Sequence, residues 1–323
     1  MKTKIVYVVI SNNNDFYWEQ AWASAYSVKL HTPTAHITFV TDDVTYTSVM
    51  ESKRKKSLYV IDEIVPIHIN EKFSNMQRSR WLKTNLRNLI NGDFLFIDTD
   101  TIITSDISDI DNLKCNMAAV YDSHCKFKEF PFNNGVKQLI KKVYGIKLSS
   151  NTEYFNSGVL YVKDNKYTSD FYNQWHENWL YSKSRGVSTD QPSLAKTNNE
   201  NKGFISILDG VYNCQVAISI QYLNNAKIMH FFNAKWSDQN LNPFFGKDLY
   251  LKIKMNGEIT NDIHDKILRC KELFISPSKI IGHNEIDLWF SPACEFLKWT
   301  YAKCKFIYKL QDYFFRIMMK MIK

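Results

Sequence analysis

Four apolar residues in succession, Phe94-Leu95-Phe96-Ile97, lead straight into Asp98-Thr99-Asp100. A strand with no polar face must be covered on both sides, which a sheet interior flanked by helices provides. The preceding sequence agrees, because it alternates. Lys4–Ile10 is a β-branched apolar run, Trp18–Leu30 predicts a helix, and His36–Thr41 predicts a strand closed by Asp42-Asp43. A second helix is expected around Val49–Lys56 and a third strand over Leu58–Val65. From Ser74, an N-cap candidate, Trp81, Leu82, Leu86, Leu89 and Ile90 recur at helical spacing until Gly92. Strands alternating with helices imply an α/β, Rossmann-like, mainly parallel sheet with helices on both faces. In such sheets ligands gather beyond the carboxyl ends of the strands.

That rule directs attention to Asp98 and Asp100. In extended backbone, residues i and i+2 share a side, so both carboxylates can face one ligand. Two hard oxygen donors without a closed protein cage suit Mg²⁺ or Mn²⁺ shared with a diphosphate, and so the departure of a phosphate-bearing group. The same string, apolar run plus D-x-D-x-T, also fits a phosphatase with Asp98 as the phosphorylated nucleophile. Such enzymes place the motif on their first strand and need a later acidic metal-binding pair. Here several elements precede it, and no Gly-Asp or Asp-Asp pair follows.

Other classes are excluded by composition. With 10 glycines and 7 prolines in 323 residues, the chain is neither collagen-like nor low-complexity, and no apolar run reaches the roughly 18 to 20 residues a membrane-spanning helix needs. Met1–Ile10 lacks the cleavage site of a signal peptide, and the six cysteines form no C-x-x-C pair, so a cytoplasmic chain with reduced thiols is expected. Basic residues number 41 and acidic 33, a net +8. From Glu295 onward seven cations face two carboxylates, so the excess is concentrated in the tail rather than spread as on a nucleic-acid binder. The run Lys53-Arg54-Lys55-Lys56 is expected to be a solvated helix end.

Further motifs follow in order. Phe155-Asn156-Ser157-Gly158 predicts a small polar turn interrupting a strand, where a ligand or backbone approaches closely. Ser188-Thr189-Asp190-Gln191-Pro192 predicts the start of a helix with Asp190 as a cap. Ile228-Met229-His230 ends an apolar run in a histidine, with Lys235 shortly after.

Taken together these pieces resemble the glycogenin and bacterial lipopolysaccharide galactosyltransferase group of nucleotide-sugar glycosyltransferases, over residues 4–240. The resemblance implies a GT-A fold over residues 1–245 and a helical extension over 246–323. It implies that Asp15 and Tyr17 contact the nucleotide, that Asp98, Asp100 and His230 hold Mn²⁺, with Mg²⁺ as the substitute, and that Thr99 lies with them. Asn156 and Ser157 then contact the donor sugar, Lys235 contacts the diphosphate, and Arg80 or Lys83 supplies a basic group reaching the donor. Asp190 and Gln191 stand near the anomeric carbon of a UDP-sugar, with retention of configuration.

The tail predicts one long helix from about Pro292. At 100° per residue Lys298, Lys305, Lys309, Arg316, Lys320 and Lys323 fall in a stripe about 60° wide, opposite Phe296, Ile307, Leu310, Phe314, Met318 and Met321. Such a helix suits an anionic membrane surface, hence a peripheral enzyme on the inner face of the cell membrane acting on a saccharide or lipid-linked acceptor. Two alternatives stand beside this reading: the phosphatase, and an inactive membrane-associated binding module.

Overall fold

The computed structural model describes residues 1–69, 72–130, 132–149, 151–232, 244, 246–272 and 286–322. In chain order the elements are β1 (Lys4–Val9), α1 (Tyr17–His31), β2 (Ile37–Asp42), α2 (Asp43–Met50), β3 (Glu63–Ile67), α3 (Asn75–Thr84), α4 (Leu86–Leu89), β4 (Phe94–Ile97), β5 (Thr101–Ile103) and β6 (Met117–Tyr121). There follow α5 (Asn133–Tyr144), β7 (Phe155–Val162), α6 (Lys166–Ser184), α7 (Gln191–Glu200), β8 (Ser206–Ile207), β9 (Cys214–Gln215) and β10 (Ile228–His230). Last come α8 (Lys247–Asn256), α9 (Asn261–Leu268), α10 (Ile286–Trp289), α11 (Pro292–Lys303) and α12 (Lys305–Ile322).

A seven-stranded sheet runs β3-β2-β1-β4-β7-β6-β8 and a three-stranded one β5-β10-β9. The first four strands of the large sheet are parallel, whereas β7 is antiparallel to both β4 and β6, which makes the sheet mixed. β4 is buried throughout, and its alternation is divided between two cores. Leu95 and Ile97 join Ile5, Tyr7, Trp18 and Trp22 on the α1 side. Phe94 and Phe96 join Val6, Leu82 and Trp175 on the α3 and α6 side. Each such side chain contributes roughly 1.5–3 kcal/mol by burial.

The short link Asp98-Thr99-Asp100 joins β4 in the large sheet to β5 in the small one. It is tied on both sides: Asp98 N donates to Gly158 O of β7 at 2.7 Å, and Phe231 N, just after β10, donates to Asp100 O at 3.0 Å. The antiparallel register pairs His230 with Thr101. Two sheets therefore converge on the carboxylates.

Several sequence expectations are corrected. The second helix begins at Asp43, because the Asp42 carboxylate caps it from the end of β2 by accepting from Thr45 N at 2.8 Å. A 3-10 segment over Lys53–Val60 follows, and β3 starts later than expected, at Glu63. Within that segment Arg54 is not solvated: it is buried, with Nε and Nη2 on the Glu19 carboxylate at 2.7 and 2.9 Å. The helix from Ser74 does carry its cap, a reciprocal pair with Gln77, but it breaks at Asn85. There the Thr84 hydroxyl bonds back to Arg80 O at 2.8 Å, a contact that bends helices. Asn156, Ser157 and Gly158 lie inside continuous β7 rather than in a turn, with the irregularity taken up between Ala119 and Tyr121 of β6.

The contacts divide the chain into two compact units, Met1–Phe130 with Val136–Pro277, and Pro131–Gly135 with Ser278–Lys323. Leu249, Tyr250, Ile253, Ile263 and Ile267 of α8 and α9 belong to the main core, so the break drawn at 245/246 falls within the first unit. In the second unit the tail is not one helix. Cys304 leaves helical geometry at φ −142°, ψ 73°, Thr300 Oγ1 meets Gln311 Oε1 at 2.8 Å, and the rings of Tyr301 and Tyr308 meet at 5.0 Å. No glycine or proline marks this break; contacts between the two helices hold it. Lys298 consequently leaves the stripe, bonding to Trp289 O, and Lys323 lies outside the described residues. All six cysteines are free thiols, and no helix among the described residues is long and apolar enough to cross a membrane.

Candidate active site

Asp98, Asp100 and His230 each offer a ligand atom, and the three atoms lie within 4.8 Å of one another. His230 is buried, with Nε2 at 3.2 Å from Asp100 Oδ1 and Nδ1 at 2.9 Å from Asn213 Oδ1. Burial pushes its pKa down, but the carboxylates of Asp100 and Asp98 together more than reverse this and leave it raised. Two carboxylates and one imidazole form a donor set for a divalent ion with room for phosphate oxygens. The backbone is shaped to the cluster: a Cβ on Gly158 would stand 2.3 Å from His230 Cε1 and 2.8 Å from Asp98 Oδ2.

A second group adjoins it. Lys83, 1% exposed, sets Nζ at 3.3 Å from Asp98 Oδ1, 3.2 Å from Asp190 Oδ2 and 3.2 Å from Ser157 Oγ. Ser157 Oγ also donates to Asp190 Oδ2 at 2.8 Å. Arg80 Nε lies 2.8 Å from Asp190 Oδ1, an ion pair in which the N–H is not aligned on the oxygen. The Asp190 carboxylate thus makes no cap bond at α7, correcting that expectation: two cations from α3 outcompete the helix end. Burial works to raise its pKa, yet Lys83 and Arg80 hold it well below the usual carboxylate range, so it is ionised. Both basic candidates, Arg80 and Lys83, are present together.

Gln191 faces the other way, its Nε2 donating to Asp122 Oδ2 at 2.9 Å and Phe155 O at 3.1 Å. Asp122 Oδ1 accepts from Asn156 Nδ2 at 3.1 Å. Burial raises the pKa of Asp122, against the donors from Asn156, Gln191 and the Ser123 amide. Asp122 was not among the candidates, and neither were Asn213 and Gln215. Gln215 bridges the turn after Asp122 by accepting from Ser123 N at 2.7 Å and donating to Tyr121 O at 2.8 Å. Ser123 and His124 in that turn both adopt left-handed backbone, φ 56° and 54°. Positive φ at two successive non-glycine residues is strained, and here it aims a carboxylate.

At the mouth of α1 the Asp15 carboxylate accepts from Ser11 Oγ, Asn12 N and Tyr17 N, gathering its own loop. Arg54 Nη2 holds Asp15 O at 3.1 Å, and Lys254 Nζ holds Asn13 O and Asp15 O at 2.6 and 2.9 Å. Tyr17 is half-buried; burial raises its pKa, and the charges of Asp15 and Asp100 add to the effect. Thr99 Oγ1 donates to Gln20 Oε1 at 3.3 Å, which ties the Asp98–Asp100 link to α1. Lys235 lies outside the described residues.

A mixed sheet of this order, with carboxylates and a histidine converging where β4 leaves it, defines a GT-A glycosyltransferase. The family model for glycosyl transferase family 8 matches residues 8–238, and the chain belongs to that family. No curated protein sequence matches it. Among solved structures it is similar to an active-site mutant of the galactosyltransferase LgtC, at 15% identity and TM-score 0.54 over 83% of this chain and 100% of that one. It is likewise similar to LgtC in complex with donor and acceptor sugar analogs, at 16% identity and TM-score 0.53 over 82% and 100%. A third is the bifunctional glycosyltransferase WbbM in its apo form, at 15% identity and TM-score 0.52 over 83% of this chain and 51% of that one. At these identities the likeness speaks to the fold alone. Family membership sets aside the phosphatase alternative.

Proposed function

We propose that the protein transfers a hexose from a UDP-sugar to a saccharide or lipid-linked acceptor in the synthesis of a surface polysaccharide, with retention of configuration. The reading rests above all on the convergence of Asp98, Asp100 and His230 beside the Lys83–Asp190 cluster. The three residues would hold Mn²⁺, or Mg²⁺ in its place; imidazole nitrogen favours the transition ion. When bound, the ion offsets charge developing on the diphosphate leaving group.

The chain's own residues divide the remaining work. Tyr17, on the loop that Asp15 organises, would stack on the base, and Thr99 and Lys235 would complete the nucleotide-diphosphate side. Asn156 and Ser157 would contact the sugar, with Arg80 and Lys83 contributing positive charge near the donor phosphates. Asp190 acts electrostatically and by positioning rather than as a covalent nucleophile, because Lys83, Arg80 and Ser157 already engage its oxygens. Gln191, with its amide nitrogen held by Asp122 and Phe155, would present its carbonyl oxygen to the anomeric centre.

On α12, Lys305, Lys309, Arg316 and Lys320 still lie within about 60°, while Phe306, Leu310, Phe314 and Met321 are exposed. This supports a peripheral enzyme on the anionic inner face of the cell membrane, each cation near that surface contributing roughly 1 kcal/mol. The test is a screen of UDP-sugars with Mn²⁺ and with chelator. Release of UDP that depends on the metal and on one donor sugar is expected. UDP binding with Mn²⁺ but no turnover of any donor would leave the inactive binding module.

A further inference from the structure

A backbone amide inside β7 decides that Nδ1 of His230 must carry a proton. Gly158 N–H can only donate, and it donates to Asn156 Oδ1 at 2.9 Å. The Asn156 atom in that contact is therefore the carbonyl oxygen, an acceptor only. The Asn213 amide reaches the same oxygen at 2.9 Å, so it must present its NH₂ end there. Its carbonyl end is then the one facing His230 Nδ1, at 2.9 Å, and an oxygen acceptor at that distance requires a proton on Nδ1. Asp122 Oδ1, accepting from Asn156 Nδ2 at 3.1 Å, fixes the first amide in the same sense. Each side chain in the series is buried or nearly so: Asn156 is 6% exposed, Asn213 0% and His230 1%. No exchange with solvent is at hand to reorient them.

We propose that Asn213 is a positioning residue for this site: it holds a proton on His230 Nδ1, so that Nε2, the nitrogen beside Asp100, is the one that gives up its proton and serves as ligand when an ion binds. Asn213 does not touch the ion. It acts through His230, and through Asn156 it ties the metal-facing histidine to the sugar-facing side of β7. A histidine ligand with its remote nitrogen unpartnered could rotate or carry its proton on the wrong atom, and loss of such a partner typically costs 10- to 100-fold in metal affinity. The buried position of Asn213 follows from the small sheet, since it immediately precedes β9, the parallel neighbour of β10.

The inference rests on the metal-dependent reading above, and one titration separates the two. Free Mn²⁺ is followed by electron paramagnetic resonance in the presence of UDP for the wild type, Asn213→Leu and Asn213→Asp. The wild type is expected to bind. Asn213→Leu, similar in size but without an acceptor, is expected to bind about 10- to 100-fold more weakly. Asn213→Asp, which keeps an oxygen toward Nδ1–H, is expected to stay within about threefold of wild type while turnover falls, because its second oxygen now faces Asn156 Oδ1. A residue serving stability alone would lower the melting temperature in both variants and leave Mn²⁺ affinity unchanged, and that result overturns the proposal. Absence of Mn²⁺ binding by the wild type overturns the metal reading itself. Should Asn213→Leu fail to fold, Asn213→Ala, which removes the acceptor without filling the space, takes its place in the same titration: Mn²⁺ binding about 10- to 100-fold weaker supports the proposal, and unchanged affinity overturns it.

Discussion

Gly158 lies so close beneath His230 that a Cβ built on it would stand 2.3 Å from the imidazole Cε1. The strand cannot move away, because Gly158 O accepts the Asp98 amide at 2.7 Å. Gly158→Ala is therefore expected to destabilise the fold by about 1–3 kcal/mol through overpacking and to weaken Mn²⁺ binding by displacing both ligands. Thermal melting and metal titration together check this; an alanine variant unchanged in both would show that the approach is not tight.

Asp190 gives a pH signature. Its carboxyl titrates below its ordinary 3.8 in the folded chain, so the unfolded chain takes up the proton first as pH falls. The stability it contributes is complete above about pH 4 and declines as pH drops toward the folded value. Asp190→Asn leaves Lys83 and Arg80 without this counter-charge and is expected to cost about 3–5 kcal/mol at pH 7. Urea unfolding at pH 7 and pH 3 should show the difference from wild type shrinking in acid, whereas a pH-independent difference contradicts the ion-pair account.

Strain after Asp122 is measurable too. Ser123 is held at φ 56°, a conformation glycine adopts without cost. Ser123→Gly is expected to raise stability by up to about 1 kcal/mol without loss of turnover, read from denaturant midpoints. Destabilisation of that size instead would show that the left-handed turn carries no strain.

How much of this was legible beforehand follows from how local each signal is. β4 and Asp98-Thr99-Asp100 could be read because an uninterrupted apolar run and two carboxylates two apart are features of one short segment. Ser74 could be read as a cap for the same reason. Asp122, Asn213 and Gln215 could not, because they become neighbours only through the pairing of β6 with β7 and of β9 with β10, and nothing in their own segments announces it. Asp190 misled in a specific way: Thr-Asp-Gln-Pro looks like a helix cap, and only the approach of Lys83 and Arg80 from α3 redirects the carboxylate. The tail misled likewise, since its periodicity runs unbroken through Cys304 while the backbone does not.

The exposed cations of α12 make a further prediction. The full chain is expected to sediment with vesicles in proportion to anionic lipid content, and less so as salt rises. Replacing Lys305, Lys309, Arg316 and Lys320 by Gln should reduce binding at low salt by several kcal/mol in all, at roughly 1 kcal/mol per cation. Partitioning indifferent to these four substitutions would point to burial of the apolar face against protein.

The central claim is that Asp98, Asp100 and His230 act as one metal-holding unit for sugar transfer. Its most direct test is UDP release from the donor sugar with Mn²⁺, comparing wild type with Asp98→Asn and Asp100→Asn proteins whose melting curves show them folded. Loss of one charged ligand removes several kcal/mol of leaving-group stabilisation, so each variant should lose ~10³-fold or more in rate. Near-normal turnover by either folded variant, or wild-type turnover untouched by chelator, would contradict the account.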